Sequence, residues 1–197
     1  FGDLRVLVNN AGGAVESADL IHRCDEDDFE WMLELNLKAP YLVTREALPA
    51  MIAAGDGSII HVGSVNGLFG IGLTGYSAAK SGLLALSRNL ATHYGQYGIR
   101  SNVLSAGTIE TQARQDEMEN TEDRSGETSA RERWLDQYPL DRFGRPREVA
   151  DAALFLASNR SGFITGENLV VDGGLTAGLP QSFANEIYQA DEPPADR

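Results

Sequence analysis

Tyr76 and Lys80 stand four residues apart in the stretch TGYSAAKSGLLALSR, residues 74–88. On a helix that spacing puts both side chains on one face. A free phenol, with a pKa near ~10, is too weak an acid for base work at neutral pH. A fixed ammonium beside it favours the phenolate and lowers that pKa. The pair therefore fits an acid/base device. It equally fits an ordinary surface pair, because Tyr-x-x-x-Lys is short enough to arise by chance. The elements around it decide which.

Residues 4–8 (LRVLV) form a short apolar run closed by Asn9-Asn10-Ala11-Gly12-Gly13, which predicts a buried strand feeding a turn. Residues 27–54 are long and periodic and predict a helix, ended by Gly55-Asp56-Gly57. Inside it lies LELNLKAPY. Asparagine is a poor helix-interior residue, and Pro40 cannot donate to the carbonyl of Asn36. A locally broken ladder is expected there, with a carbonyl left to hold a water. A merely exposed asparagine is the alternative. Residues 58–63 predict a second strand, residues 64–75 a glycine-rich loop, and residues 76–97 a second long helix stopped by Gly98. Residues 99–105 predict a third strand, turned by Ala106-Gly107-Thr108. Residues 111–137 are highly charged and read either as solvated helices or as a lid over a cleft. An amphipathic helix follows over residues 147–158, after Pro146, then a fourth strand over residues 168–172. The tail from Leu175 carries Pro193-Pro194 and acidic residues, and fraying is expected at its end.

Strands alternating with helices at these intervals predict a parallel sheet covered on both faces. Ligands in such sheets bind beyond the carboxyl ends of the strands. Asn9–Gly13, Ser64 and the segment from Ala106 to Thr111 all fall at those ends.

Composition narrows the function. The chain has 197 residues, enough for one domain with a real core, and 42% of them are hydrophobic. Its formal net charge of -13 argues against nucleic acid and against anionic membrane surfaces as partners. A single cysteine, Cys24, forms no internal disulfide, which is compatible with a reducing cytosol. His22, His61 and His93 show no metal spacing and read as structural or exposed, so no metal is expected. No apolar run is long enough to span a bilayer, and a cytoplasmic location is the expectation. The Asn159-Arg160-Ser161 sequon reads as a chance match.

In their order and spacing, LVNNAGG, GSIIHVGS, GYSAAKSG, IRSNVLSAGTIET and ITGENLVVDGG resemble the signatures of the short-chain dehydrogenases/reductases. The resemblance covers residues 1–174. It implies an α/β, Rossmann-like doubly wound parallel sheet, incomplete at its N-terminal half, with residues 175–197 as a tail. It also implies an oxidoreductase that moves a hydride between NAD or NADP and a small-molecule alcohol or ketone. By the same resemblance, Tyr76 is the acid/base and Lys80 lowers its pKa and holds the nicotinamide ribose. Ser64 orients the substrate oxygen, although a serine there also fits a loop cap. Asn36 anchors a water that links Lys80 to solvent. Asn9, Ala11 and Gly12 belong to the adenosine side, and Thr108, Ile109 and Thr111 to the nicotinamide carboxamide.

The chain departs from the family pattern in two places. Ala106 replaces a proline, which loosens the expected turn, and Gly63 stands where many relatives carry a second serine. A Ser/His/Asp hydrolase is set aside because no Gly-x-Ser-x-Gly elbow surrounds Ser64. The family's glycine-rich pyrophosphate segment has no match here. The chain therefore reads either as an incomplete copy of an active oxidoreductase or as a truncated, inactive interaction module. The four intact residues and the absence of an initiator Met favour the first. Relatives in that family pair the two long helices between subunits, so the resemblance also implies a homodimer or homotetramer.

Overall fold

The computed structural model describes residues 3–15, 20–111, 130–180 and 182–183. Strands β1 (Val6–Asn9), β2 (Gly57–Ser64), β3 (Ile99–Ala106) and β4 (Asn168–Val171) lie in that order in one sheet. β1 pairs parallel with β2, and β2 parallel with β3. Helices make every crossover. α1 (Glu26–Leu33) and α2 (Ala39–Ala54) link β1 to β2, α3 (Thr74–Tyr94) links β2 to β3, and α4 (Ala130–Leu135) and α5 (Pro146–Ala157) lie between β3 and β4.

The expected single helix over residues 27–54 is continuous but changes winding midway. Asp25 caps it, its side chain accepting from the N–H of Asp27 at 2.9 Å, and Glu26, Asp27 and Asp28 complement the helix dipole. Between α1 and α2, Glu34–Lys38 is a π turn, and Ala39 N–H reaches back five residues to the carbonyl of Glu34. Pro40 supplies the cause: it has no N–H to continue the α ladder. Gly55 then ends α2 at a φ of 65°. α3 starts two residues earlier than the sequence predicts. It ends at Tyr94, and a 3-10 turn over Gly95–Tyr97 completes the run to Gly98.

β2 reads as a central strand because residues on both of its faces are buried. Ile59 packs with Leu48 and Met51 of α2, Leu90 of α3 and Ile99 of β3. Each such fully buried side chain is worth roughly 2–3 kcal/mol of apolar transfer. On the other face, Ser58 Oγ donates to the carbonyl of Leu156 at 2.8 Å. Arg100 joins it there, donating to the carbonyls of Leu156 at 3.0 Å and Ser158 at 3.3 Å, and so capping the end of α5. Helices therefore cover both faces. β1 is an edge strand, with Val6 and Val8 exposed.

The chain divides into two compact units. One comprises Phe1–Ala106 with Arg147–Val170, and it contains most of the sheet. The other comprises Gly107–Pro146 with Val171–Arg197. In the second unit, Ile109 bridges Gly144, and the buried Tyr138 packs edge-on against Trp134 and Phe143. Of the charged stretch expected over residues 111–137, residues 112–129 lie outside the described residues. So does most of the tail from residue 175.

Candidate active site

α3 carries Tyr76 and Lys80 in its first turns, and Lys80 Nζ lies 5.3 Å from the centroid of the Tyr76 ring. The ring's negative face attracts the ammonium at that range. Lys80 is only 5% exposed, and its Nζ donates to the backbone carbonyl of Val62 at 2.8 Å. Among the described residues no carboxylate pairs with it. Burial lowers its pKa to about 8. A buried ammonium without a counter-ion is costly, and structures keep one mainly where it is used.

The loop after β2 packs directly onto this turn of α3. A Cβ on Gly67 would lie 2.9 Å from the Lys80 carbonyl carbon, and Ser81 Oγ donates to the Gly67 carbonyl at 2.8 Å. Ser64 opens that loop. Its Oγ accepts from the N–H of Asn66 and donates to Asn66 Oδ1, each at 3.2 Å, so the hydroxyl acts as a loop cap here. No histidine bonds it among the described residues. Leu73, just before α3, is held at φ 54°, a left-handed conformation costing about 1–2 kcal/mol for a leucine. Backbone strain of this kind collects at functional sites, and this instance lies three residues from Tyr76.

Asn36 sits in the π turn and is fully buried, which removes the exposed-asparagine alternative. Its Nδ2 donates to the carbonyls of Met32 at 2.9 Å and Gly13 at 2.8 Å, and its Oδ1 accepts from the N–H of Gly13 at 3.1 Å. The side chain thus grips one peptide of the turn after β1 from both sides. Its own backbone carbonyl has Pro40 four residues ahead, which carries no N–H.

Gly12 brings that turn against the other two groups. A Cβ on Gly12 would lie 2.7 Å from Asn36 Oδ1 and 3.3 Å from Lys80 Nζ. Asn36 is pinned by three hydrogen bonds and cannot yield cheaply. Gly12→Ala is therefore expected to cost about 1–3 kcal/mol, read as a fall in the urea unfolding midpoint. Gly13→Ala is the control: its nearest atom, Leu35 Cδ2, is 4.0 Å away, and it should shift the midpoint far less.

Asn9 turns inward. Its Nδ2 donates to Thr44 Oγ1 and to His61 Nδ1, each at 3.1 Å, tying β1 to α2 and β2. An amide nitrogen only donates, so His61 is neutral with its proton on Nε2. Desolvation, then the charge of Lys80, holds the His61 pKa down to about 4. His61 is fully buried, and its Nε2 has no hydrogen-bond partner among the described residues, while His22 and His93 are exposed. Ala11 and Gly12 are exposed at the turn.

Thr108, Ile109 and Thr111 belong to the second unit. The N–H of Thr108 donates to Tyr138 Oη at 2.8 Å, and its carbonyl accepts from the N–H of Gly144 at 2.9 Å. Gly107 N–H donates to the Val171 carbonyl at 3.0 Å. Replacing the proline by Ala106 does not leave this turn loose, because hydrogen bonds fix it instead. The other departure also has a packing reason. A Cβ on Gly63 would lie 2.7 Å from Val103 Cγ1 and 2.9 Å from Ser105 Oγ, so this chain has no room for a serine there.

The family model described as enoyl-(acyl carrier protein) reductase matches residues 1–176. This chain belongs to the short-chain dehydrogenase/reductase family. The 3-oxoacyl-[acyl-carrier-protein] reductase FabG of Thermotoga maritima is 39% identical over 176 residues, covering 89% of this chain and 67% of that protein. A crystal structure of an oxidoreductase of the same family from Burkholderia thailandensis matches with a TM-score of 0.84 at 38% identity, covering 94% of this chain and 69% of that one. The structure of ElxO with NADP bound matches with a TM-score of 0.81 at 30% identity, covering 90% of this chain and 69% of that one. The chain thus spans about two thirds of the length of these relatives. The expected fold and the NAD(P)-dependent oxidoreductase class both hold.

Several residues of the candidate site have partners there that the sequence does not display. Gly13 is the peptide Asn36 grips, Thr44 and His61 hold Asn9, and Trp134 and Tyr138 hold Thr108. Only Gly13 carried a local signal, its place beside Gly12. The others act across long separations that periodicity does not encode. Among the described residues no cluster of metal-ligating side chains occurs, and no helix is long and apolar enough to cross a membrane.

Proposed function

We propose that this chain carries the catalytic residues of an NAD(P)-dependent oxidoreductase that interconverts a small-molecule alcohol and ketone, with Tyr76 as the acid/base. One observation supports this above the others: Lys80, buried and without a counter-ion among the described residues, lies 5.3 Å from the Tyr76 ring. NAD or NADP, when bound, supplies or accepts the hydride. The residues fit such a group. Val62 takes one N–H of Lys80, and the ammonium has two more to offer ribose hydroxyls. Gly12 presents bare backbone beside it, where a Cβ would collide.

In this reading Tyr76 Oη takes the proton of an alcohol or returns it to a ketone oxygen, and the Lys80 charge favours the phenolate between turns. Ser64 Oγ orients the substrate oxygen; its 3.2 Å bond to Asn66 Oδ1 is long enough to exchange for it. The Asn36 carbonyl holds a water that returns protons from solvent towards Lys80. Asn9 and Ala11 lie on the adenosine side. Gly12 lies with them near the adenosine side and its ribose, and the absence of a Cβ there leaves its backbone open to the cofactor. Thr108, Ile109 and Thr111 meet the nicotinamide carboxamide. The protein is a homodimer or homotetramer, a reading supported by exposed Trp31, Tyr41 and Val43 on the helices expected to pair.

Calorimetric titration tests the reading. NAD and NADP, oxidised and reduced, are titrated into this chain and into the chain extended to the full length of its relatives. Binding by the extended form, with turnover of an alcohol or ketone in a substrate screen, is expected. Binding by neither form overturns the enzyme reading and leaves the interaction module.

A further inference from the structure

Thr108 is over-determined in a way that its expected role does not require. Its N–H is given to Tyr138 Oη at 2.8 Å, and its carbonyl receives the N–H of Gly144 at 2.9 Å. Both backbone groups of Thr108 are thus tied within the unit. The indole Nε1 of Trp134, in α4, then lies 2.8 Å from Thr108 Oγ1. An indole N–H donates and never accepts. Thr108 Oγ1 must therefore accept, and its own proton is left to give. No protein acceptor takes that proton among the described residues. Two further contacts hold this part of the unit together. Arg131, in α4, bridges Glu110 at 2.7 Å, and its guanidinium lies 5.2 Å from the centroid of the Phe143 ring. The Trp134 ring itself is braced edge-on against Tyr138, with centroids 6.1 Å apart.

We infer that Trp134 is a positioning residue: its indole N–H sets the polarity of the Thr108 hydroxyl, so that Thr108 donates to a carbonyl oxygen, that of the nicotinamide carboxamide. The inference rests on the reading that this loop meets the carboxamide. Without Trp134 Nε1 the hydroxyl rotates freely and its proton is shared with water. Donation to the carboxamide then has to be recovered at the expense of rotor freedom. A residue that acts only through Thr108 would thereby affect how the nicotinamide is held.

Two ligands separate the possibilities: the dinucleotide, and the matching ADP-ribose, which lacks the nicotinamide. Affinities are measured by calorimetry on the protein extended to full length. Trp134→Phe keeps the ring against Tyr138 and removes only the N–H. It is expected to weaken dinucleotide binding roughly 3- to 10-fold, the size of one neutral hydrogen bond, and to leave ADP-ribose binding unchanged. Thr108→Val should show the same selective loss, and Thr108→Ser should not. If Thr108→Val weakens the dinucleotide selectively and Trp134→Phe does not, the role of Trp134 is overturned. If neither variant discriminates the two ligands, the carboxamide reading of the loop fails first. If Trp134→Phe weakens both equally, it acts on folding, and the inference is equally overturned.

Discussion

Tyr76→Phe is expected to lower kcat by roughly 10²–10⁴-fold, the contribution of one positioned proton donor. The cofactor Kd should move by less than about 3-fold, well under the weight of one charged hydrogen bond. The substitution removes a single oxygen. The ring stays, and with it the 5.3 Å contact that Lys80 makes with its face. α3 begins at Thr74 and is fixed by Ser77, whose N–H bonds the Leu73 carbonyl at 2.8 Å and whose Oγ donates to the Gly72 carbonyl at 2.7 Å. None of this depends on the phenol. A fall in kcat with Kd preserved is therefore the signature of a lost proton and not of a lost site. Steady-state kinetics on an alcohol substrate, paired with calorimetry, separate the two. Retained turnover would remove Tyr76 from the mechanism and move the search to the hydroxyls beside it, Ser64 first.

The elements that the sequence made legible are those with one dominant local cause. Pro40 forecast the irregular ladder around Asn36, and the π turn over Glu34–Lys38 is its form. Gly55 and Gly98 forecast stops, and both take left-handed φ values, 65° and 74°. The Tyr76–Lys80 spacing forecast a shared face. The strands were placed within two residues, because a short apolar run between turn residues leaves little choice. What stayed hidden depends on which backbone group a side chain reaches across the fold. From the sequence, Asn36 stands out only as a poor residue for a helix interior. Its work here is to grip Gly13, 23 residues away in sequence. The family resemblance sets Asn9 on the cofactor side of its turn. Its amide in fact points inward to Thr44 and His61. Neither set of partners is legible in the sequence, for one reason: a polar side chain's partner is a tertiary fact, and burial demands that some partner exist.

The same reasoning explains the two departures from the family pattern. Proline stiffens a turn through its own ring. Around Thr108 the stiffness comes instead from Tyr138, Gly144 and Val171, all remote in sequence. A single chain displays the missing proline and not the bonds that replace it. At Gly63, a residue too small for the family pattern is the one its neighbours Val103 and Ser105 can accommodate.

Lys80→Met is expected to change three quantities together. Methionine has nearly the same length and no branch, so the pocket stays filled without a large cavity. The charge and its N–H donors go. Cofactor Kd should rise by about 10-fold or more, since hydrogen bonds from a charged group are worth about 1.5–3 kcal/mol. kcat should fall by roughly 10²-fold, because the Tyr76 phenol loses the neighbour that favours its ionised form. A change in only one of these would break the double assignment of Lys80. The third quantity is stability against pH. Lys80 titrates at about 8 in the fold and at its ordinary 10.5 when unfolded. Between those values the unfolded chain holds a proton that the folded chain has released, so stability rises with pH across the window. Below it the ammonium is charged in both states and the full cost of burying it is felt, on the order of 3 kcal/mol at 1.36 kcal/mol per pH unit. Urea unfolding of the parent should therefore show a midpoint that climbs from about pH 8 to about pH 10.5. Lys80→Met should lack that climb. A variant with the parent's slope would show that the ammonium is not the desolvated group the structure places at Val62 and Tyr76. The absence of that slope, together with lost turnover, would mean that one buried charge lowers stability at neutral pH and serves the chemistry, a common exchange at active sites.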